Sequence, residues 1–261
     1  MKILTLFAVL AGFICVHLIK LMRMYLIVME EKVSFDRFVP AYLRTTLINL
    51  IIPYKLGEIY RVIVFYRISG GFKTGFFAVL IDRFFDTLAL VAILLPYQLM
   101  RGGEVSAPTM LLFAFVAVIL IAYRVFSPSY AFLNRYIITS RQSKRSLGAL
   151  AALEVLNGWY EYVRNLVTGR YGILFLFSLA AWLLEMGVLA GFAKLMGEDF
   201  TVARFGTYIE SIVSGKDLTV KTGYTIYSAV VMFVLTVIFT SIYLIRRQKD
   251  KAGSKREGMM R

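Results

Sequence analysis

The sequence contains one cysteine, Cys15, and one histidine, His17. A lone thiol excludes an internal disulfide, and one thiol with one imidazole excludes the Cys/His sets that hold zinc or iron, so neither metal nor cofactor is expected. Negative charge is scarce as well: 16 acidic residues stand against 30 Lys and Arg, a formal charge of +14. There is no Walker loop, no dinucleotide fingerprint and no Ser/His/Asp set. No stretch outside the apolar runs is long enough for a soluble enzyme domain, so no catalytic residue and no enzymatic activity are expected. What the chain does have is apolar residues, 59% of the total, and a mean hydropathy of +0.71. Both exceed what a water-soluble domain uses, which makes the bilayer the solvent.

A helix crosses the hydrocarbon core in about 20 residues. Five apolar runs reach or approach that length: Ile3 to Ile19, Phe76 to Leu99, Ala107 to Ala122, Tyr171 to Leu195 and Tyr224 to Ile245. The first has only Lys2 ahead of it and no small-residue cleavage pattern near Cys15, and reads as a retained anchor. The fold class is thus all-α, a polytopic helical membrane protein with five full spans. Residues 1–245 form one membrane domain and residues 246–261 a basic tail expected to be disordered.

Orientation follows from Lys and Arg, since basic loops resist translocation. Residues 20–73 carry nine, residues 124–170 seven and the tail seven, against one in 100–106 and four in 194–221, where acids dilute them. This alternation places the N-terminus outside and the C-terminus in the cytoplasm of a cell (inner) membrane. The positive excess is accounted for by this bias and by anionic headgroups, so no nucleic-acid partner is expected.

Both ends of residues 20–73 then lie on the cytoplasmic side, although Phe38 to Ile52 and Ile59 to Ile68 are largely apolar. A Pro/Gly-broken re-entrant helical hairpin satisfies both conditions. Asn49 and Pro53 mark the break, because proline removes a backbone donor and disfavours helix at the residue before it, and Gly57 allows the turn. Backbone groups freed in this way must face protein or a wet cavity. Lys55 and Arg61 beside the N-terminus of the second half-helix suit the phosphate of an anionic headgroup. A shallow interfacial hairpin with both cations snorkelling to the surface fits the same residues.

In the next span, Asp82 and Asp86 share a helix face and Arg83 lies three residues from Asp86. Each charge costs about 2.5–3.5 kcal/mol at a helix centre, so such residues usually face a bundle interior and mark a pathway or a site. The pair leaves one carboxylate in surplus, for which Arg61 or Lys55 is the nearest partner by topology. Glu185 falls near the middle of its own span, where it must be paired, hydrated or protonated. Residues 146–168 read as an amphipathic cytoplasmic helix. Ala149, Ala152, Leu156, Trp159, Val163 and Leu166 form one face, with Glu154, Asn157, Glu161 and Arg164 opposite.

Asn49, Pro53-Tyr54-Lys55-Leu56-Gly57-Glu58 with Arg61, and Asp82-Arg83-Phe84-Phe85-Asp86 together resemble the N-x-x-x-P-x-(R/K)-x-G-E-x-x-R … (D/E)-R-x-x-D pattern of the lysylphosphatidylglycerol synthase/flippase transmembrane family. "AWLLEMG" around Glu185 resembles that family's tryptophan-plus-glutamate helix. The likeness covers about residues 1–195. It implies a polytopic helical domain that handles a phosphate-bearing lipid, either an anionic phospholipid or a polyprenyl-phosphate-linked intermediate. It also implies an intramembrane charge network made of Glu58, Asp82, Arg83, Asp86 and Glu185. The family's aminoacyl-transfer domain and the Gly-rich element near its C-terminus have no counterpart after Thr201. A second copy of the chain or an envelope-enzyme partner is the expected source of what is missing.

Two functions follow as expectations. One is flippase-like translocation of the lipid; the other is a non-transporting accessory subunit of a lipid-modifying or envelope-glycan enzyme. An intramembrane transferase with Asp82 or Asp86 as base is the third class, and it lacks a donor-binding domain.

Overall fold

The computed structural model describes residues 2–31, 33–52, 56–100, 105–140, 144–214 and 219–259, and those residues form helices and connecting turns with no strand. In chain order the helices are α1 (Lys2–Val28), α2 (Phe35–Ile51), α3 (Leu56–Ser69), α4 (Phe72–Met100), α5 (Ala107–Ser140), α6 (Lys144–Val167), α7 (Tyr171–Met196), α8 (Val202–Ser214) and α9 (Thr219–Met259). A 3-10 turn, Met29–Glu31, follows α1.

Four of the five expected spans fall on helices long and apolar enough to cross a membrane: α1, α5, α7 and α9. The fifth, Phe76 to Leu99, lies in α4. That helix has the length but also carries Lys73, Asp82, Arg83 and Asp86. Leu111, Phe113, Val118 and Ile121 of α5 and Ile226, Val230, Phe233 and Val237 of α9 are exposed, as apolar side chains facing lipid are.

Residues 1–82 and 180–261 make one compact unit and residues 83–179 another; α4 and α7 each run from one into the other. In the first unit, α1 and α7 meet antiparallel through small residues. A Cβ on Gly12 would lie 2.7 Å from Val188, and one on Gly191 would lie 2.8 Å from Val9. Each glycine thus receives the other helix's valine. Such small-residue contacts are how helices pack in lipid, where no hydrophobic force drives them together. The same contact brings Lys20 within reach of Glu185.

The helical hairpin expected over residues 38–68 is present as α2 and α3. Ile52 ends α2 in extended geometry, φ −84° and ψ 121°, as a residue before proline prefers. Pro53 and Lys55 lie outside the described residues. Gly57 is the second residue of α3, with Asn49 of α2 packed directly on it: a Cβ there would lie 2.5 Å from Asn49 Oδ1 and 2.6 Å from its Cα. Its role is therefore close approach rather than the turn that its composition suggested. Gly70, at φ +74°, caps α3 and hands its N–H to the Tyr66 carbonyl.

Three expectations are revised. Helix α1 runs past Ile19 to Val28, so Lys20 and Arg23 are helical interior residues and not loop cations. The segment after Leu195 contains α8, whose Phe205 and Ile209, four residues apart, are both buried. The tail expected to be disordered continues α9 to Met259, because Lys, Arg, Gln, Glu and Ala extend a helix already nucleated within the span.

In the second unit α5 and α6 form a hairpin. Phe126 stacks on Tyr160 at 4.8 Å and the Tyr130 hydroxyl donates to Glu154 at 2.9 Å. Helix α6 coincides with the amphipathic segment read at 146–168, and Leu156 and Trp159 of its apolar face are exposed.

The α2–α3 contact generates a stability prediction. Gly57→Ala is expected to destabilise the protein by about 1–3 kcal/mol, because backbone stands where the methyl must go. Gly187→Ala, mid-helix with nothing within 4 Å, is expected to be neutral or stabilising by about 0.4–1 kcal/mol. Thermal unfolding in one detergent compares them; equal melting temperatures would contradict the packing at Asn49.

Candidate functional site

Helices α1, α3 and α4 of the first unit converge on Asp82, which is 1% exposed and lies on the expected face of α4. One of its oxygens, Oδ1, accepts from Arg23 twice, from Nε at 3.0 Å and from Nη2 at 2.6 Å. The other, Oδ2, faces Arg61 Nη1 at 3.1 Å. Arg23 is 1% exposed and Arg61 4% exposed. Two guanidiniums thus share one carboxylate out of water, where the attraction is weakly screened and an unmatched charge is costly.

Arg61 is held from several sides. Its guanidinium carbon stands 5.7 Å from the Tyr42 ring centroid and 5.9 Å from that of Phe65, both rings buried. This arrangement favours a desolvated cation. Glu58, one turn earlier in α3, approaches Arg61 Nη1 only to 3.9 Å, and Asn49 Nδ2 donates to its other oxygen at 2.8 Å. The Nε of Arg61 is buried with no hydrogen-bond partner. The cation therefore sits between two carboxylates with a donor to spare.

Lys20, one turn before Arg23 on α1, holds Glu185 of α7. Nζ lies 2.5 Å from Oε2 and 4.9 Å from the Trp182 ring centroid. The mid-membrane carboxylate expected to need a partner has one. In the second unit Arg83 pairs with Asp86 at 3.4 Å along α4, the spacing that the sequence offered.

The structure thus gathers Asn49, Gly57, Glu58, Arg61 and Asp82 around the α2–α3 junction, sets Glu185 against Lys20, and leaves Arg83 with Asp86. Sequence reasoning missed Lys20 and Arg23, the partners of Glu185 and Asp82, because it assigned them to a cytoplasmic loop. The signal was there: Leu21, Met24, Ile27 and Val28 continue the apolar pattern of the first span at helical spacing, and all four are buried.

Pairing of this kind has a distinctive mutational signature. Lys20→Met and Glu185→Leu are each expected to cost about 3–5 kcal/mol by stranding a charge, and the double variant less than either single one. Thermal unfolding of the three purified variants reads this out. A double variant as unstable as the sum of the singles would show that the two residues are not coupled.

Among comparisons with known proteins, the family described as "Lysylphosphatidylglycerol synthase TM region" matches residues 1–215, which extends the likeness through α8. No curated protein and no solved structure matches the chain. The apolar helices and this match make it a multi-pass membrane protein with a role related to membrane lipid. A match over that share of the chain, with the motif residues gathered at the α2–α3 junction, shows that the protein belongs to the lysylphosphatidylglycerol synthase transmembrane-region family.

Proposed function

We propose that the protein binds the phosphate of an anionic phospholipid or a polyprenyl-phosphate-linked intermediate at Arg61 and carries it across the bilayer, without catalysing a covalent step. The observation that carries this reading is the state of Arg61: buried, sharing Asp82 with Arg23, and keeping Nε unpartnered. A phosphate offers several acceptor oxygens and suits the planar guanidinium fork. It can take Arg61 from Asp82 without stranding that carboxylate, because Arg23 continues to neutralise it. Arg61 then alternates between Asp82 and the lipid. Lys55, beside the break, adds a second cation for the approaching headgroup. Gly57 keeps α3 against Asn49. Lys20 with Glu185 balances charge within the same unit.

The distribution of Lys and Arg favours a topology with the N-terminus outside and the C-terminus cytoplasmic, in the cell membrane. A second copy of the chain or an envelope-enzyme partner would stand in for the Gly-rich element that has no counterpart after Thr201. A second reading draws on the neat pairing of Lys20 with Glu185 and Arg23 with Asp82. Such pairs also serve a non-transporting accessory subunit, in which the charges only fasten helices together.

Mass spectrometry of lipids retained by gently extracted protein separates the two. Wild type is expected to be enriched in one phosphate-bearing lipid over the bulk membrane, and Arg61→Ala to lose that enrichment by about tenfold or more, the worth of one charge-assisted contact. Bulk composition in both samples would favour the accessory reading.

A further inference from the structure

In the second unit, α5 is longer than a span needs. Its 34 residues measure about 51 Å at the α-helical rise, against a hydrocarbon core of about 30 Å. The hydroxyls of Tyr123 in α5 and Tyr171 at the start of α7 stand 2.9 Å apart, the place that tyrosines take at a membrane–water boundary. Beyond Tyr123 the helix continues from Arg124 to Ser140, and α6 runs back beside it. The rings of Tyr123 and Phe126 meet that of Tyr160 at 5.2 and 4.8 Å, and the Tyr130 hydroxyl donates to Glu154 at 2.9 Å.

These contacts fix how each helix is turned. Helix α6 sets Glu154 against α5 and leaves Leu156 and Trp159 exposed, while α5 leaves Leu133 and Tyr136 exposed. At 3.6 residues per turn those four side chains come to one side of the hairpin and Glu161 to the other. Two amphipathic helices in water do the reverse and bury their apolar sides against each other. The hairpin thus presents a broad apolar side outward.

Charge identifies what covers it. Residues 124–168 hold six cations, Arg124, Arg135, Arg141, Lys144, Arg145 and Arg164, and two acids, Glu154 and Glu161. Both acids are engaged, Glu154 by Tyr130 and Glu161 by Arg164 at 3.6 Å. An excess of cations flanking an apolar side that carries Trp and Leu is the composition with which a helix lies on an acidic lipid surface. A second copy of the hairpin would set the same positive excess against itself, which is unfavourable. The surface is also within reach, because a helix longer than the hydrocarbon core tilts in it, and tilting α5 brings the hairpin down toward the headgroups.

We propose that the α5–α6 hairpin is a membrane-surface binding element: Leu133, Tyr136, Leu156 and Trp159 enter the boundary between headgroups and acyl chains of an acidic leaflet, and the flanking Arg and Lys lie among the headgroups. This element takes the leaflet as a surface and no single lipid as cargo, so it stands apart from the reading of Arg61.

Fluorescence of the full chain in proteoliposomes tests it, since the protein has two tryptophans. Trp182→Phe leaves Trp159 as the sole indole, and the difference between wild type and Trp159→Phe gives the same signal with Trp182 untouched. The vesicles are phosphatidylcholine alone or an equimolar mixture with phosphatidylserine, the phosphatidylcholine being brominated either near the headgroup end or near the methyl end of its acyl chains. Trp159 is expected to lose more emission to bromines at the headgroup end, to emit at shorter wavelength than a water-exposed indole, and to be quenched more in the acidic mixture. Arg135→Gln with Arg145→Gln should remove the gain from phosphatidylserine. Four results would overturn the proposal: emission of a water-exposed indole that neither lipid quenches, a blue-shifted emission that neither lipid quenches, which indicates a protein cover, stronger quenching from the methyl end, or quenching indifferent to phosphatidylserine.

Discussion

A carboxylate shared by two guanidiniums out of water is the constraint from which the first unit is built. Asp82 cannot stay charged in an apolar interior without partners, and neither can Arg23 or Arg61. Each comes from a different helix, so charge balance fixes how α1, α3 and α4 meet. The glycines make the meeting close enough. Gly57 lets α3 lie on Asn49, Gly12 and Gly191 let α1 lie on α7, and Gly75 of α4 has Tyr66 N and Val62 O of α3 within 2.7 Å of where its Cβ would be. Small residues set these close approaches, and large buried side chains such as Phe13, Phe38, Phe65 and Phe205 fill the rest of the unit.

The helical class, four of the five spans, the broken pair α2–α3 and the amphipathic α6 were legible in the sequence, since periodicity, length and Pro/Gly punctuation act locally. The motif residues were legible as a set, and so was the surplus of carboxylate over Arg83, for which the sequence left Arg61 or Lys55 as partner; Asp82 meets Arg61. Pairings over long separations were not: nothing local in Lys20 points to Glu185, 165 residues away. Counting basic residues toward loops hid Lys20 and Arg23, because the rule for topology treats every cation at a span's end as solvated. Helix α8 was missed for another reason. Its apolar residues Val202, Phe205, Ile209 and Ile212 recur at helical spacing, but the segment is too short to span and was read only as the loop leading into the last span.

Arg61 links architecture to activity. A cation paired once and tightly would be a fastener. Here it is poised between Asp82 at 3.1 Å and Glu58 at 3.9 Å, with Tyr42 and Phe65 providing faces that favour it even when its carboxylate is given up. Arg23 makes the exchange tolerable by staying with Asp82.

The most direct measurement of the central claim is transbilayer movement of a fluorescent short-chain phosphatidylglycerol in proteoliposomes, followed by quenching with a membrane-impermeant reductant. Vesicles holding the wild-type protein should lose fluorescence beyond the outer-leaflet share, and vesicles holding Arg61→Gln should stop at it. Wild-type vesicles that stop where protein-free vesicles do would contradict translocation through the Arg61 site.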